Sequence, residues 1–194
     1  MTLSVEFSAI GVGIVLLQAF WLMFPAYVTG SIAVLVGGGK PIDFGKKHRD
    51  GRRILGDGKT WAGLAGGTIA GIIVGSIQNI AALSINDKLV LSFGETWYFF
   101  VVVFCLSFGA MFGDLVKSFI KRRMNIKRGK KSPFLMDQLD FVVGAWFFLL
   151  LFATTWFFTN FTFWHILAVL ILTPLLHRFT NVIGYKLGKK EVPW

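Results

Sequence analysis

Hydrophobic and polar positions along this chain segregate into long apolar runs separated by short charged stretches. The first run follows Glu6 and meets no Lys or Arg before Lys40. Uncharged segments of about 20 residues are long enough to cross a hydrocarbon core as helices. The pattern predicts five such spans, at about 7–36, 60–83, 97–112, 141–158 and 161–185. Lipid offers no partners to backbone N–H and C=O groups, so helices, which satisfy them internally, are the economical solution. The fold class is therefore an all-α polytopic membrane protein, with residues 1–194 forming one domain. The first span lacks a basic leader and reads as a permanent helix, not a cleaved signal. Pro25 is expected to kink it, because proline removes a helical hydrogen bond. Trp97 and Tyr98 stand where an interfacial anchor pair would begin the third span.

Charge adds orientation. Twenty Lys and Arg face ten Asp and Glu in 194 residues, and the mean hydropathy is +0.66. Nineteen of the twenty basic residues lie in a first loop (39–59), in the stretch 113–141, or in Arg178 and the C-terminal tail; Lys88 alone lies elsewhere. Cytoplasmic loops collect Lys and Arg. The N-terminus is therefore expected outside and the C-terminus inside, with two large basic cytoplasmic loops. A basic balance confined to inter-span loops argues against a nucleic-acid partner. The single Cys105, inside a span, excludes a disulfide and a cysteine metal site. His48, His165 and His177 show no ligand spacing.

Three features carry chemistry or packing. Gly63, Gly67, Gly71 and Gly75 repeat every four residues in the second span, a spacing that admits another helix backbone. Packing within the chain and a homodimer interface are the alternatives for this stripe. The stretch 113–141 gathers eight basic residues between long apolar runs, with Asp114 at one end and Asp137 and Asp140 at the other. The third helix is expected to continue past 112, placing Asp114, Ser118, Lys121 and Arg122 on one face. Ser132 and Pro133 resemble a helix start, after which Asp137 and Asp140 fall one turn apart. Mg²⁺ is usually held by one or two carboxylates with phosphate oxygens and water. The acids are thus candidate Mg²⁺ ligands; the alternative is that they pair with neighbouring Lys and Arg. With no cation between them, such carboxylates repel one another. The first loop ends in Gly56-Asp57-Gly58-Lys59-Thr60. This is no P-loop, since Arg53 stands where glycine is required, but glycines before a helix start can form an anion site.

The sequence GDLVKSFIKRR, followed by DQLD, resembles the membrane phosphatidate cytidylyltransferase family on Gly113, Asp114, Leu115, Ser118, Lys121, Arg122, Asp137 and Asp140. Lys59 and Thr60 match that family's Lys-Thr at a helix entry. Gln138 replaces the family's Arg, and SPFLM its His-Gly-Gly stretch. The short chain, with DGRR, GDGKT and DQLDF, is most similar to the archaeal ether-lipid branch. The resemblance implies transfer of CMP from CTP to an unsaturated geranylgeranyl-ether glycerol phosphate with Mg²⁺, releasing pyrophosphate. It implies metal binding by Asp114, Asp137 and Asp140, and catalysis by these acids with Lys121 and Arg122. Phosphates would be held by Lys59, Thr60, Ser118, Lys121, Arg122 and Lys127. The lipid tails would enter a lateral gap between spans, and the site would face the cytoplasm from a multi-pass cell-membrane protein. The alternatives are a CDP-diacylglycerol synthase acting on phosphatidate and, in another class, a small transporter. A CDP-alcohol phosphotransferase would need D-G-x-x-A-R, which is absent.

Overall fold

Six helices make up the regular structure of the described residues, 9–84, 91–126 and 136–186 of a computed structural model. They are α1 (Ala9–Val36), α2 (Trp61–Ser84), α3 (Tyr98–Arg123), α4 (Met136–Phe152), α5 (Thr154–Asn160) and α6 (Phe163–Lys186). α1 packs against α2, α3 and α6, while α3 lies between α2 and α4. Three helices are long and apolar enough to cross a membrane, or four if the bent pair Thr154–Asn160 and Phe163–Phe179 counts as one span. Apolar side chains such as Ile69, Ile73, Ile77 and Ile80 line the outside of α2, as a lipid solvent permits. The protein is a multi-pass membrane protein.

α1 runs through Pro25. The proline cannot donate to the Trp21 carbonyl one turn earlier, and an unpaired carbonyl in lipid is costly. Gln78 of α2 supplies the missing donor, its Nε2 lying 3.1 Å from that oxygen. The glycine stripe of α2 is buried against its own chain. A Cβ at Gly67 would fall 2.8 Å from the Thr29 carbonyl and 2.9 Å from the Met111 sulfur. At Gly71 it would strike Ser107 and the Pro25 carbonyl. Packing within the chain therefore accounts for the stripe, and the dimer it suggested loses this surface. At the far end of α2, Asn79 fixes the approach to α3. Its Oδ1 accepts from the Phe93 N–H at 2.7 Å, and its Nδ2 donates to the Gly94 carbonyl at 3.1 Å.

The last two spans are divided differently from the hydropathy pattern. A continuous helix over 141–158 was expected, but α4 stops at Phe152 and α5 starts at Thr154. Ala153 between them has left the helical region, at φ −141° and ψ 40°. Thr154 and Thr159 turn their hydroxyls back onto the carbonyls of Leu150 and Thr155, a pattern that bends helices. The chain then turns by 85° into α6.

α3 and α4 make the closest helix crossing. Gly109 and Gly113 on α3 face Gly144 on α4. A Cβ at Gly144 would meet the Gly109 carbonyl and come within 2.7 Å of the Gly113 Cα. One at Gly109 would lie 2.8 Å from the Ala145 Cα. Backbone meets backbone here, so no flexible side chain can yield. Gly144→Ala should therefore destabilise the protein by about 1–3 kcal/mol, the range for an overpacked contact. Thermal unfolding in detergent would register this as a lower midpoint; an unchanged midpoint would mean that the helices can separate without cost.

Candidate active site

The first loop, 37–60, is built on a buried carboxylate. Asp43 is 6% exposed and accepts backbone N–H groups from Gly45, Leu55 and Gly56 at 2.9–3.1 Å. Arg53 closes on it with Nη2 at 2.7 Å from Oδ1 and Nε at 3.2 Å from Oδ2. Burial pushes the Asp43 carboxyl up, but Arg53 and the three backbone donors outweigh it. They hold the group well below its ordinary value of 3.8. Gly45, Gly51 and Gly56 sit at positive φ where the chain doubles back. The result is a folded platform at the end of α3. Arg52 donates to the Arg123 carbonyl at 2.6 Å, and Arg123 donates to Asp50 Oδ1 and the Arg53 carbonyl, each at 2.6 Å. Arg122 lies across Gly56, its Nε 3.3 Å from the Leu55 carbonyl and its Nη1 3.1 Å from the Ile126 carbonyl. A basic cavity of about 350 Å³ opens here, lined by Arg52, Arg53 and Arg122 with Gly56, Asp57, Asn125 and Ile126.

The acids lie beside this platform. Below the glycine crossing, one row of α3 continues at four-residue intervals from Gly113 to Lys117 and Lys121. The facing row of α4 carries Gly144, Asp140 and Asp137. Opposed in this register, the rows pair as rungs. Lys117 Nζ is 2.9 Å from Asp140 Oδ2, and Lys121 Nζ is 3.0 Å from Asp137 Oδ1. Lys117 also reaches Asp114 Oδ1 at 2.9 Å, and Lys59 from the first loop caps the other oxygen of Asp114. A string Lys59–Asp114–Lys117–Asp140 thus joins the loop to both helices. Its carboxylates are not bare, as repulsion between unscreened acids would require; ammonium groups stand between them. Asp140 Oδ1 is buried with no hydrogen-bond partner among the described residues.

A second cavity, of about 510 Å³, opens sideways between α3 and α4. Phe112, Val116 and Ile120 form one wall, and Leu139, Val143 and Phe147 the other. Lys117 and Asp140 provide its polar end. This cavity is the candidate for the lateral gap expected between spans.

The remaining candidates fall as follows. Asp114 and Asp140 are joined through Lys117, with Lys59 on Asp114, while Asp137 and Lys121 form a separate pair on the next turn. Arg122 faces the basic cavity. Ser118 is half-buried on α3, one turn beyond Asp114. Thr60 is buried and its hydroxyl is engaged, accepting from the Gly63 N–H at 3.1 Å and the Gly38 N–H at 3.3 Å, so it caps α2. Lys127, Ser132 and Pro133 lie outside the described residues. Among the described residues no three Asp, Glu, His or Cys side chains converge as a metal site. Asp114 and Asp140 nevertheless share one cation, and Asp140 has an oxygen to spare. That donor set suits a hard cation completed by phosphate and water. Lys117, Asp43, Arg52 and Arg53 went unsingled in the sequence. The spacing Gly109-x-x-x-Gly113 was the available clue to the first of these.

The chain is similar to known proteins over most of its length. Residues 12–194 match the family described as CarS-like, CDP-archaeol synthase. The CDP-archaeol synthase of Methanosarcina acetivorans is 51% identical over 176 residues, covering 89% of this chain and 100% of that protein. That of Archaeoglobus fulgidus is 45% identical, covering 92% and 98%. A solved structure of an intramembrane enzyme for archaeal membrane lipids biosynthesis superposes with a TM-score of 0.66 at 35% identity. It covers 86% of this chain and 94% of its own.

Asp43 yields a pH prediction. A depressed carboxyl stabilises fully above its ordinary pKa and loses that contribution as pH falls through the folded value. Loop protection against proteolysis should be level between pH 7 and about 4 and decline only below that. Asp43→Asn should abolish the protection at all these pH values, since breaking a buried pair costs roughly 3 kcal/mol. Equal cleavage rates in wild type and variant would overturn this account of the loop.

Proposed function

The chain belongs to the CDP-archaeol synthase family, and from that premise we propose how its site works. The protein is a membrane cytidylyltransferase: CMP passes from CTP to a polyprenyl-ether glycerol phosphate, giving a CDP-lipid and pyrophosphate. The proposed acceptor is 2,3-bis-O-geranylgeranyl-sn-glycerol 1-phosphate. Family membership leaves the phosphatidate and transporter readings without support. One observation carries the assignment of parts: the string Lys59–Asp114–Lys117–Asp140 runs from the loop whose residues also line the basic cavity to the two charged residues that line the apolar groove.

The groove takes the lipid chains, since its walls are apolar and it opens sideways. The basic cavity takes the nucleotide phosphates, with Arg122 among its lining residues and Lys59 and Lys121 beside the acids. Ser118 adds a hydroxyl one turn from Asp114, and Lys127 extends the basic run. The lipid phosphate oxygen attacks the α-phosphorus of CTP, the bond to the bridging oxygen breaks, and pyrophosphate carries away the electron pair. No covalent enzyme intermediate is needed. Fixed cations around the transferring group stabilise charge that water would otherwise have to reorganise around. Asp114 and Asp140, with Asp137 on the adjacent turn, are the residues that would hold Mg²⁺, which supplies further charge neutralisation on the phosphates.

For topology we propose five crossings, α1 to α4 and α6, with α5 as the bent connection on the outer side. α4 alone is about 25 Å long at 1.5 Å per residue, slightly short of a core of about 30 Å. The N-terminus lies outside and the site faces the cytoplasm. In a Cys105→Ala background, a cysteine at Ser84 should react with an impermeant reagent from outside and one at Lys46 only from inside. The reverse pattern would place the site away from cytoplasmic CTP.

The direct test of function uses purified protein, labelled CTP, Mg²⁺, and ether or ester lipid phosphates. The CDP-ether lipid should form, with kcat/KM higher than for the diacyl substrate; equal or better use of phosphatidate would refute the substrate assignment. In the same assay Asp114→Asn, Asp137→Asn and Asp140→Asn should each lose turnover by orders of magnitude, every tenfold being about 1.4 kcal/mol. Each variant removes at least one ion pair with a lysine, so a modest loss of stability accompanies the loss of rate. Near-normal turnover in all three would reduce the acids to partners of the lysines.

A further inference from the structure

We propose that Lys117 is the headgroup anchor of the lipid substrate: its ammonium receives the phosphomonoester of a two-chain lipid lying in the α3–α4 groove. This rests on the lipid-cytidylyl reading above and adds a specific residue to it. Lys117 is the one cation among the groove's lining residues, and Asp140 is the one anion. Its side chain is 17% exposed, sheltered yet reachable from the groove. Lys59 sits on the other oxygen of Asp114, outside the groove lining, and the next basic residues along α3 are directed elsewhere. Lys121 binds Asp137 on the next rung, and Arg122 faces the carbonyls of Leu55 and Ile126. A lipid entering sideways with its chains on Val116 and Val143 therefore meets Lys117, the one cation among the described lining residues.

The position follows from the helix register. Lys117 lies one turn beyond Gly113, where the two backbones touch, so it is a charged lining residue set between the apolar wall residues Val116 and Ile120. Its present partners can release it. Asp114 keeps Lys59, and Asp140 has a second oxygen already lacking a hydrogen-bond partner. A phosphate dianion offers three acceptor oxygens, and exchange of carboxylate for phosphate keeps the ammonium charge-paired throughout. Arrival of the lipid would loosen Lys117 from both acids, so the headgroup itself would open the carboxylates to their catalytic partners. Neutral glycerol diether, having the same chains but no charge, would gain nothing from Lys117.

Equilibrium binding without CTP or Mg²⁺ tests this. The probes are a labelled diether glycerol phosphate and the corresponding diether glycerol, each with the full-length protein in nanodiscs. Wild type should prefer the phosphate by about tenfold or more, as expected for a charged hydrogen bond. Lys117→Met combined with Asp140→Asn changes no net charge and should erase the preference. Lys117→Arg should restore most of it and, in turnover, raise KM for lipid while leaving KM for CTP unchanged. Lys117→Gln serves if the double variant does not fold, and should likewise lose the preference. Retention of the wild-type preference in a folded variant lacking the ammonium, or none in wild type, would overturn the anchor. Wild type that shows the preference yet makes no CDP-lipid would instead refute the functional reading, leaving the headgroup contact in place.

Discussion

Everything at the site depends on how closely α3 and α4 approach. Gly109, Gly113 and Gly144 place no side chain of their own at the crossing, so that backbone packs on backbone. In lipid there is no hydrophobic gain from joining two apolar helices, and close van der Waals contact is what holds them. The contact also sets a register. With Gly113 against Gly144, the next turn must oppose Lys117 to Asp140 and the one after that Lys121 to Asp137. A larger residue at the crossing would part the rungs, because a lysine–carboxylate hydrogen bond does not survive much beyond its normal length.

The rungs answer a solvation problem. A carboxylate in the bilayer is costly, and three of them close together would be worse. Three lysines, Lys59, Lys117 and Lys121, match three acids, Asp114, Asp137 and Asp140, in a cluster with no net charge. Neutrality allows the cluster to sit where the groove's hydrocarbon walls begin. It also limits what the cluster can do alone. Two phosphate-bearing substrates bring several negative charges, so further cations must join from the loop side, and Arg52, Arg53 and Arg122 stand there. The folded loop around Asp43 has a purpose in this arrangement: it fixes guanidinium groups that would otherwise wander in water.

How much of this was legible in the sequence varies with the range of the interaction. Uncharged runs announced the first two helices and the start of the third to within a few residues, because burial in lipid is read residue by residue. Asp114, Asp137 and Asp140 stood out because acids beside apolar runs are costly and thus conspicuous. Thr60 was recognised at a helix entry, but its hydroxyl serves the backbone of Gly63 and Gly38, a local bond that motif matching does not see. Lys117 was passed over as part of a basic run, since only the facing helix reveals that it bridges two acids. The glycine spacing of α2 drew notice, whereas the same spacing at Gly109 and Gly113 was hidden inside a phenylalanine-rich run. Asp43 required a loop to close over ten residues onto Arg53, which no local pattern encodes. The break at Ala153 left only two adjacent threonines as its trace.

On the proposed assignment of lipid to one cavity and nucleotide to the other, the chemistry belongs at the membrane surface and not within it. A lipid phosphate cannot leave the bilayer without exposing its chains, and a nucleotide triphosphate cannot enter without losing its hydration. The groove lets the first stay in hydrocarbon as far as Lys117 and Asp140. The loop platform lets the second stay in water as far as Arg122 and Lys59. The only groups that must tolerate both solvents are those on the string between them, and these are the groups already paired with one another. Placing the reacting phosphorus at that boundary converts an encounter between two phases into one within a fixed frame, where orientation no longer has to be found by diffusion.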